Sequence, residues 1–137
     1  MRAWRIVSRV VAVFYGYGAL VHVLNMLSLT GFDWPAAPLR WQVLDVAYLW
    51  LDLLVAVGLW RGWSAGVAAF YVAASSQVVL YTVLREWILD VPPEFTVSAE
   101  QRDYLSGLVV FHLVTLVAVS AALWVRHQRL APGVRTD

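Results

Sequence analysis

An all-α integral membrane protein, a bundle of four spanning helices with both termini in the cytoplasm, is the fold class the sequence predicts. Three observations carry it. Hydrophobic residues make up 61% of the 137-residue chain and charged residues only 14%, against about 45–50% and about 25% in soluble domains. The apolar residues gather into long stretches, each close to the about 20 residues that cross a hydrocarbon core. The arginines collect at the ends of those stretches and divide unequally between the two sides. Period-2 alternation is absent, so strands do not compete with this reading, and no internal repeat stands out.

The first stretch begins with Arg2, Arg5 and Arg9 ahead of an apolar run from Val10 to Leu29. A cleaved export signal starts the same way, but this run is long enough to span. The residues that follow, Thr30-Gly31-Phe32-Asp33-Trp34, make no small-residue cleavage site. It reads as a retained first helix from Trp4 to Leu29, with Gly31 as its stop. Pro35 and Pro38 forbid a continuous helix through the connection. The second helix is expected from Leu39 to Trp60, before the turn Arg61-Gly62-Trp63. The third is expected to start with Ser64 as N-cap and to run through Tyr81 to about Trp87. The segment from Asp90 to Val97, with Pro92 and Pro93, is the longest interruption. Ser98-Ala99-Glu100-Gln101 then fits a capping box, and the fourth helix is expected from Ala99 to His127. The organisation is one transmembrane domain over residues 1–128 and a polar cytoplasmic tail over residues 129–137.

Topology follows from the arginines. One side collects Arg2, Arg5, Arg9, Arg61, Arg126, Arg129 and Arg135 against Asp137; the other holds Arg40, Arg85 and Arg102 among Asp33, Glu86, Asp90, Glu94, Glu100 and Asp103. The positive-inside rule makes the first side cytoplasmic, which implies a multi-pass protein of the inner (cytoplasmic) membrane. Trp4, Trp60, Trp63 and Trp124 fall at the inner interface and Trp34, Trp41 and Trp87 at the outer one; Trp50 is mid-span. A net charge of +1 offers no electrostatic footprint for nucleic acid. The chain has no cysteine, which excludes disulfides, CxxC redox motifs and thiolate metal sites. Redox chemistry would need a bound cofactor.

Polar residues inside the spans are the candidate functional residues, because each needs a partner at that depth. At a rise of about 1.5 Å per residue, His22 on the first helix, Asp52 on the second and His112 on the fourth come out at one level. Asn25, Asp45, Gln77 and Tyr81 fall somewhat further out. His22 and Asn25 share a helical stripe, as do Asp45 and Asp52, Gln77 and Tyr81, and His112 and Thr115. An ionised Asp facing lipid costs about 2.5–3.5 kcal/mol on insertion scales, so the acids are expected to face the bundle interior. One polar site in the outer half, opening outward, is the expectation. Each residue also has a plainer reading: the histidines, Asn25 and Gln77 as helix-to-helix hydrogen bonds, Asp45 as a solvated residue near the interface, and Gly16, Gly18, Gly58, Gly66 and the Ala65, Ala69, Ala73 row as small residues that let helices approach.

Several chemistries are open to such a cluster. His22 and His112 on different helices suit the axial ligands of a haem b, with Gly18 leaving room and Arg85 or Arg102 meeting the propionates. With Asp52 the same pair suits a divalent metal. Hydrogen-bond or proton chemistry on a lipophilic molecule, such as a quinone or a sterol-like lipid, is the third.

The run from Leu49 to Ala65, Leu-Trp-Leu-Asp-Leu-Leu-Val-Ala-Val-Gly-Leu-Trp-Arg-Gly-Trp-Ser-Ala, resembles the helix 2 to helix 3 junction of DoxX-like membrane proteins. That family has an acidic residue in helix 2, a Gly near its end, then Arg and Ala opening helix 3, in a four-helix chain of this size. The resemblance implies a membrane subunit of a redox or quinone-linked complex, with Asp52 at the acidic position. Where the family commonly ends its first helix in Gly-Lys, this chain has His22 and Asn25. The four-helix emopamil-binding and sigma-2-receptor group is similar in topology and polar cluster, with a long first loop that this chain lacks.

The expected function is therefore a lipophilic or redox ligand, quinone-like, held in an outer-half cavity by His22, Asn25, Asp45, Asp52, Gln77, Tyr81 and His112. The expected partners are the bilayer and other membrane subunits or a second copy. A purely structural accessory subunit, a bis-His haem b carrier and an isomerase-like lipid enzyme are the alternatives.

Overall fold

The computed structural model describes residues 2–130; the remainder of the expected tail, with Arg135 and Asp137, lies outside the described residues. The elements are α1 (Arg2–Met26), α2 (Leu39–Arg61), α3 (Ser64–Thr82), the short α4 (Arg85–Leu89) and α5 (Ala99–Leu130), with 3₁₀ turns at Trp34–Ala36 and Pro93–Phe95. Among the described residues there is no strand, and α1, α2, α3 and α5 are each long and apolar enough to cross a membrane. Neighbours in sequence are neighbours in space: α1 packs on α2, α2 on α3 and α3 on α5. The pair α5 and α1 closes the ring with the least extensive contact of the four.

Helix ends explain where the expected boundaries move. α1 stops at Met26 rather than Leu29 because Ser28 turns left-handed, at φ 56°. The Leu29 amide then reaches back to the Leu24 carbonyl at 2.9 Å and the Ser28 amide to that of Asn25 at 2.8 Å, a Schellman closure without glycine. The Ser28 hydroxyl also accepts the Trp34 amide at 3.0 Å, which ties the connection to the helix it leaves. Gly31, at φ 101°, shapes that connection and is not the cap. At the other end of the bundle, α2 runs one residue past Trp60 and closes the same way at Gly62, φ 75°, with the Trp63 amide on the Gly58 carbonyl.

Ser64 is the first helical residue of α3 and Trp63 its cap, without a side-chain hydrogen bond. The third helix does not reach Trp87 unbroken. It stops at Thr82, and α4 sets off as a separate turn that brings Ile88 beneath Trp41, whose indole donates to the Ile88 carbonyl at 2.9 Å. No Gly or Pro marks this break; the tertiary contact overrides local helix propensity. Ser98 and Gln101 form the expected capping box, each side chain on the other's amide at 2.8 and 3.2 Å.

The two ends of the bundle differ. One carries Arg2, Arg5, Arg9, Arg61, Arg126 and Arg129 and, among the described residues, no acid; it is called the basic end below. There Arg9 lies over Trp60, Arg61 over Trp63 and Arg126 over Trp4, at 5.2–5.7 Å from the ring centres, within cation–π range. The other, the α4 end, mixes Arg40, stacked on Trp87, with acids. Towards the basic end the interior is apolar and close-packed: Val55, Leu59, Phe70 and Val119 are fully enclosed among Ala69, Ala73 and Ala74. α2 and α3 touch backbone to backbone at Gly58 and Gly66, where a Cβ on either would overlap the other's main chain. Such approach maximises dispersion contact between helices.

Candidate functional site

Towards the α4 end the packing opens into two connected chambers. The deeper, about 480 Å³, is walled by residues of all four long helices, with Asp52 and His112 in its lining. The upper, about 240 Å³, reaches the connections at Phe32 and Val97. His22, Asn25, Asp45, Tyr81, Tyr104 and Leu105 line both, so the two are continuous.

Seven-residue spacing on α2 turns Asp45 and Asp52 to the same face, and both are buried against α1. Their environments differ completely. Asp45 is saturated. Its Oδ1 accepts from His22 Nδ1 at 2.7 Å and Asn25 Nδ2 at 2.9 Å, and its Oδ2 accepts from Trp34 Nε1 at 2.9 Å. Asn25 in turn accepts from the Thr30 hydroxyl at 2.7 Å. This carboxylate joins α1, α2 and their connection, and it is not the solvated interfacial residue of the plainer reading.

Asp52, 3% exposed, has no such company. Its Oδ1 is buried and has no hydrogen-bond partner among the described residues. Its Oδ2 lies 3.7 Å from His22 Nε2. The carboxylate rests against α1 where Gly18 removes the side chain that would overlap it. The His22 ring is held by Asp45 on Nδ1 and by stacking on Tyr48, whose hydroxyl is spent on Ser76 at 3.0 Å. With Nδ1–H given to Asp45, the second ring nitrogen faces Asp52 across the wall of the cavity. That contact is favourable when a proton lies on one of the two.

His112 belongs to a second set on the opposite wall. Its Nε2 donates to Gln77 Oε1 at 2.7 Å, and its Nδ1 accepts from the Tyr15 hydroxyl at 3.3 Å. Thr115, on the same stripe, returns its hydroxyl to the carbonyls of Phe111 and His112 and takes no part.

The expected level of His22, Asp52 and His112 thus resolves into two hydrogen-bonded sets that share one cavity. His22 and Asp52 are brought together; His112 is tied elsewhere. An axial haem pair does not fit these residues, because both nitrogens of His112 are engaged, by Tyr15 and Gln77. The metal set of His22, His112 and Asp52 fares no better: His112 has Tyr15 and Gln77 on its two ring nitrogens, and no group of three or more His, Cys, Asp or Glu among the described residues is arranged to hold an ion.

Three participants were not singled out in the sequence. Tyr15 was legible in principle, seven residues before His22 on one stripe. Tyr48 sits between Asp45 and Asp52 at helical spacing and had the same signal. Trp34 had none, since a tryptophan beside a proline in a connection reads as an interfacial anchor. No protein-family model, curated protein or solved structure matches the chain.

Proposed function

We propose that the four long helices span the inner membrane with the basic end cytoplasmic and both termini inside. We further propose that the cavity at the α4 end, in the outer half, binds a lipophilic, quinone-like ligand within a larger membrane complex. The Arg–Trp pairs at the basic end, which has no acid among the described residues, support the orientation. The quinone-linked and DoxX-like aspects rest on the resemblance of Leu49–Ala65, in which Asp52 is the acidic position.

One observation carries the binding reading: a buried carboxylate oxygen without a partner, in the wall of a cavity large enough for a small organic molecule. Buried acceptors left unpaired cost about 1–3 kcal/mol, and a ligand's polar end removes that cost. The purely structural reading describes Asp45 and His112 well, since their bonds go to other helices and to the connection. It leaves Asp52 without a task. The test is native mass spectrometry and absorption spectroscopy of the protein purified from its own membranes in mild detergent. A bound lipophilic molecule, retained by the parent protein and lost in Asp52→Leu, is the expected result. A ligand-free parent protein, or equal retention by the variant, overturns the reading.

A further inference from the structure

The cavity's unspent groups narrow the ligand's polar end. Asp45 accepts three hydrogen bonds on its two oxygens, Asn25 is used on both amide atoms, and His112 on both ring nitrogens. Gln77 Nε2 and the Tyr81 hydroxyl, in the lining of the deeper chamber, are donors without a hydrogen bond among the described residues. The buried acceptor left over there is the Asp52 carboxylate, unpaired at Oδ1, with His22 Nε2 beside it. A carboxylate accepts hydrogen bonds and, when ionised, donates none. A ligand offering only carbonyl or ether oxygens would set acceptor against acceptor here. A hydroxyl would satisfy the orphan oxygen by donating a hydrogen bond to it.

The way in is also visible. The deeper chamber is bounded on one side by the seam between α1 and α5, the least extensive contact of the ring. Phe14, Tyr17 and Tyr104 line the chamber and are at the same time more than half exposed on the outer surface of the bundle. The wall is therefore open sideways. The seam closes towards the basic end, where the Phe14 and Phe111 rings meet at 5.2 Å. In the orientation proposed above, on which this step rests, the opening faces the hydrocarbon of the outer leaflet.

We infer that the cavity takes the hydroxyl-bearing form of a lipophilic molecule, polar end first through the α1/α5 seam, with Asp52 accepting the hydroxyl and the apolar tail left in the seam. For a quinone-like ligand this means that the hydroquinone binds in preference to the quinone. A lipid alcohol shares the chemistry.

The experiment is equilibrium binding to the full chain in mild detergent with two matched pairs: decyl-hydroquinone against decyl-quinone, and decanol against its methyl ether. The expected result is a preference of about tenfold or more for the hydroxyl compound, since sites built to hydrogen-bond a hydroxyl reject analogues lacking it by at least that factor. A preference in the first pair identifies a quinol site and in the second a lipid-alcohol site, and either supports the inference. Asp52→Leu should abolish the preference. Gly18→Ala, which keeps the acid but displaces it, should reduce it as well, so the inference does not hang on one variant. Binding of both members of a pair with equal affinity, or a preference unchanged in both variants, overturns the inference while leaving a lipophilic site standing. Failure of all four probes to bind overturns the site itself.

Discussion

The two halves of the bundle are built on opposite principles. Towards the basic end, small residues bring backbones into contact, and Val55, Leu59, Phe70 and Val119 fill what is left, with almost no polar atom to satisfy. Towards the α4 end, the same helices diverge around chambers lined by acids, histidines and tyrosines. Close packing gives one half rigidity, and its free space is a groove of about 330 Å³ between α1 and α2 with no acid or histidine in its lining. The other gives up packing for space and is held together by directed hydrogen bonds. The difference teaches that polarity in this interior has two uses. Where both oxygens of an acid have partners, as at Asp45, it fastens helices; where one oxygen has none, as at Asp52, it is free for chemistry.

That contrast can be broken from either side. The largest effect is expected from Gly58→Leu, which drives a side chain into the α3 backbone at Gly66. Size-exclusion chromatography in detergent should find no monodisperse protein, and a well-behaved peak would refute the account of the crossing. Next comes Asp45→Leu, which strips the acceptor from His22, Asn25 and Trp34 together. Breaking a buried pair by removing one partner costs about 3–5 kcal/mol, so a clear fall in thermal midpoint is expected, and a midpoint near the parent's would mean that Asp45 fastens nothing. The smallest effect belongs to Asp52→Leu, on the same helix and similarly buried. Removing an unpaired buried acceptor in favour of an apolar group of similar shape should leave stability unchanged or raise it, by up to about 1–3 kcal/mol. Equal destabilisation by the two leucine variants, measured side by side, would erase the distinction between fastening and free acids.

Much of the architecture was legible in the sequence because its signals are local. Apolar run lengths, Gly62, the Ser98–Gln101 box and the arginine distribution each act within a turn or two of themselves. Helical spacing brought His22 and Asp52 to one level without knowledge of the fold. What stayed hidden depends on distant partners. The end of α1 is made by Ser28 in a conformation its residue type rarely announces, and the break after Thr82 serves a hydrogen bond from Trp41, a residue of another helix. The sorting of one expected cluster into two also needed the third dimension. Depth along a helix can be counted from sequence, but which way round the bundle a ring points depends on Tyr15 and Gln77 for His112, and on Asp45 and Tyr48 for His22.

The seating of the Asp52 carboxylate on bare backbone at Gly18 has a consequence for how such a chain can change over generations. Neither position is free to drift alone while the acid is in use. A lineage that acquires a side chain at 18 first must push the acid out of its seat; one that loses the acid first releases position 18 to accept alanine or serine. Descendants should therefore either keep glycine opposite the acid or lack the acid, with position 18 then unconstrained by it. An acid at 52 facing a bulky residue at 18 is the combination that should be missing.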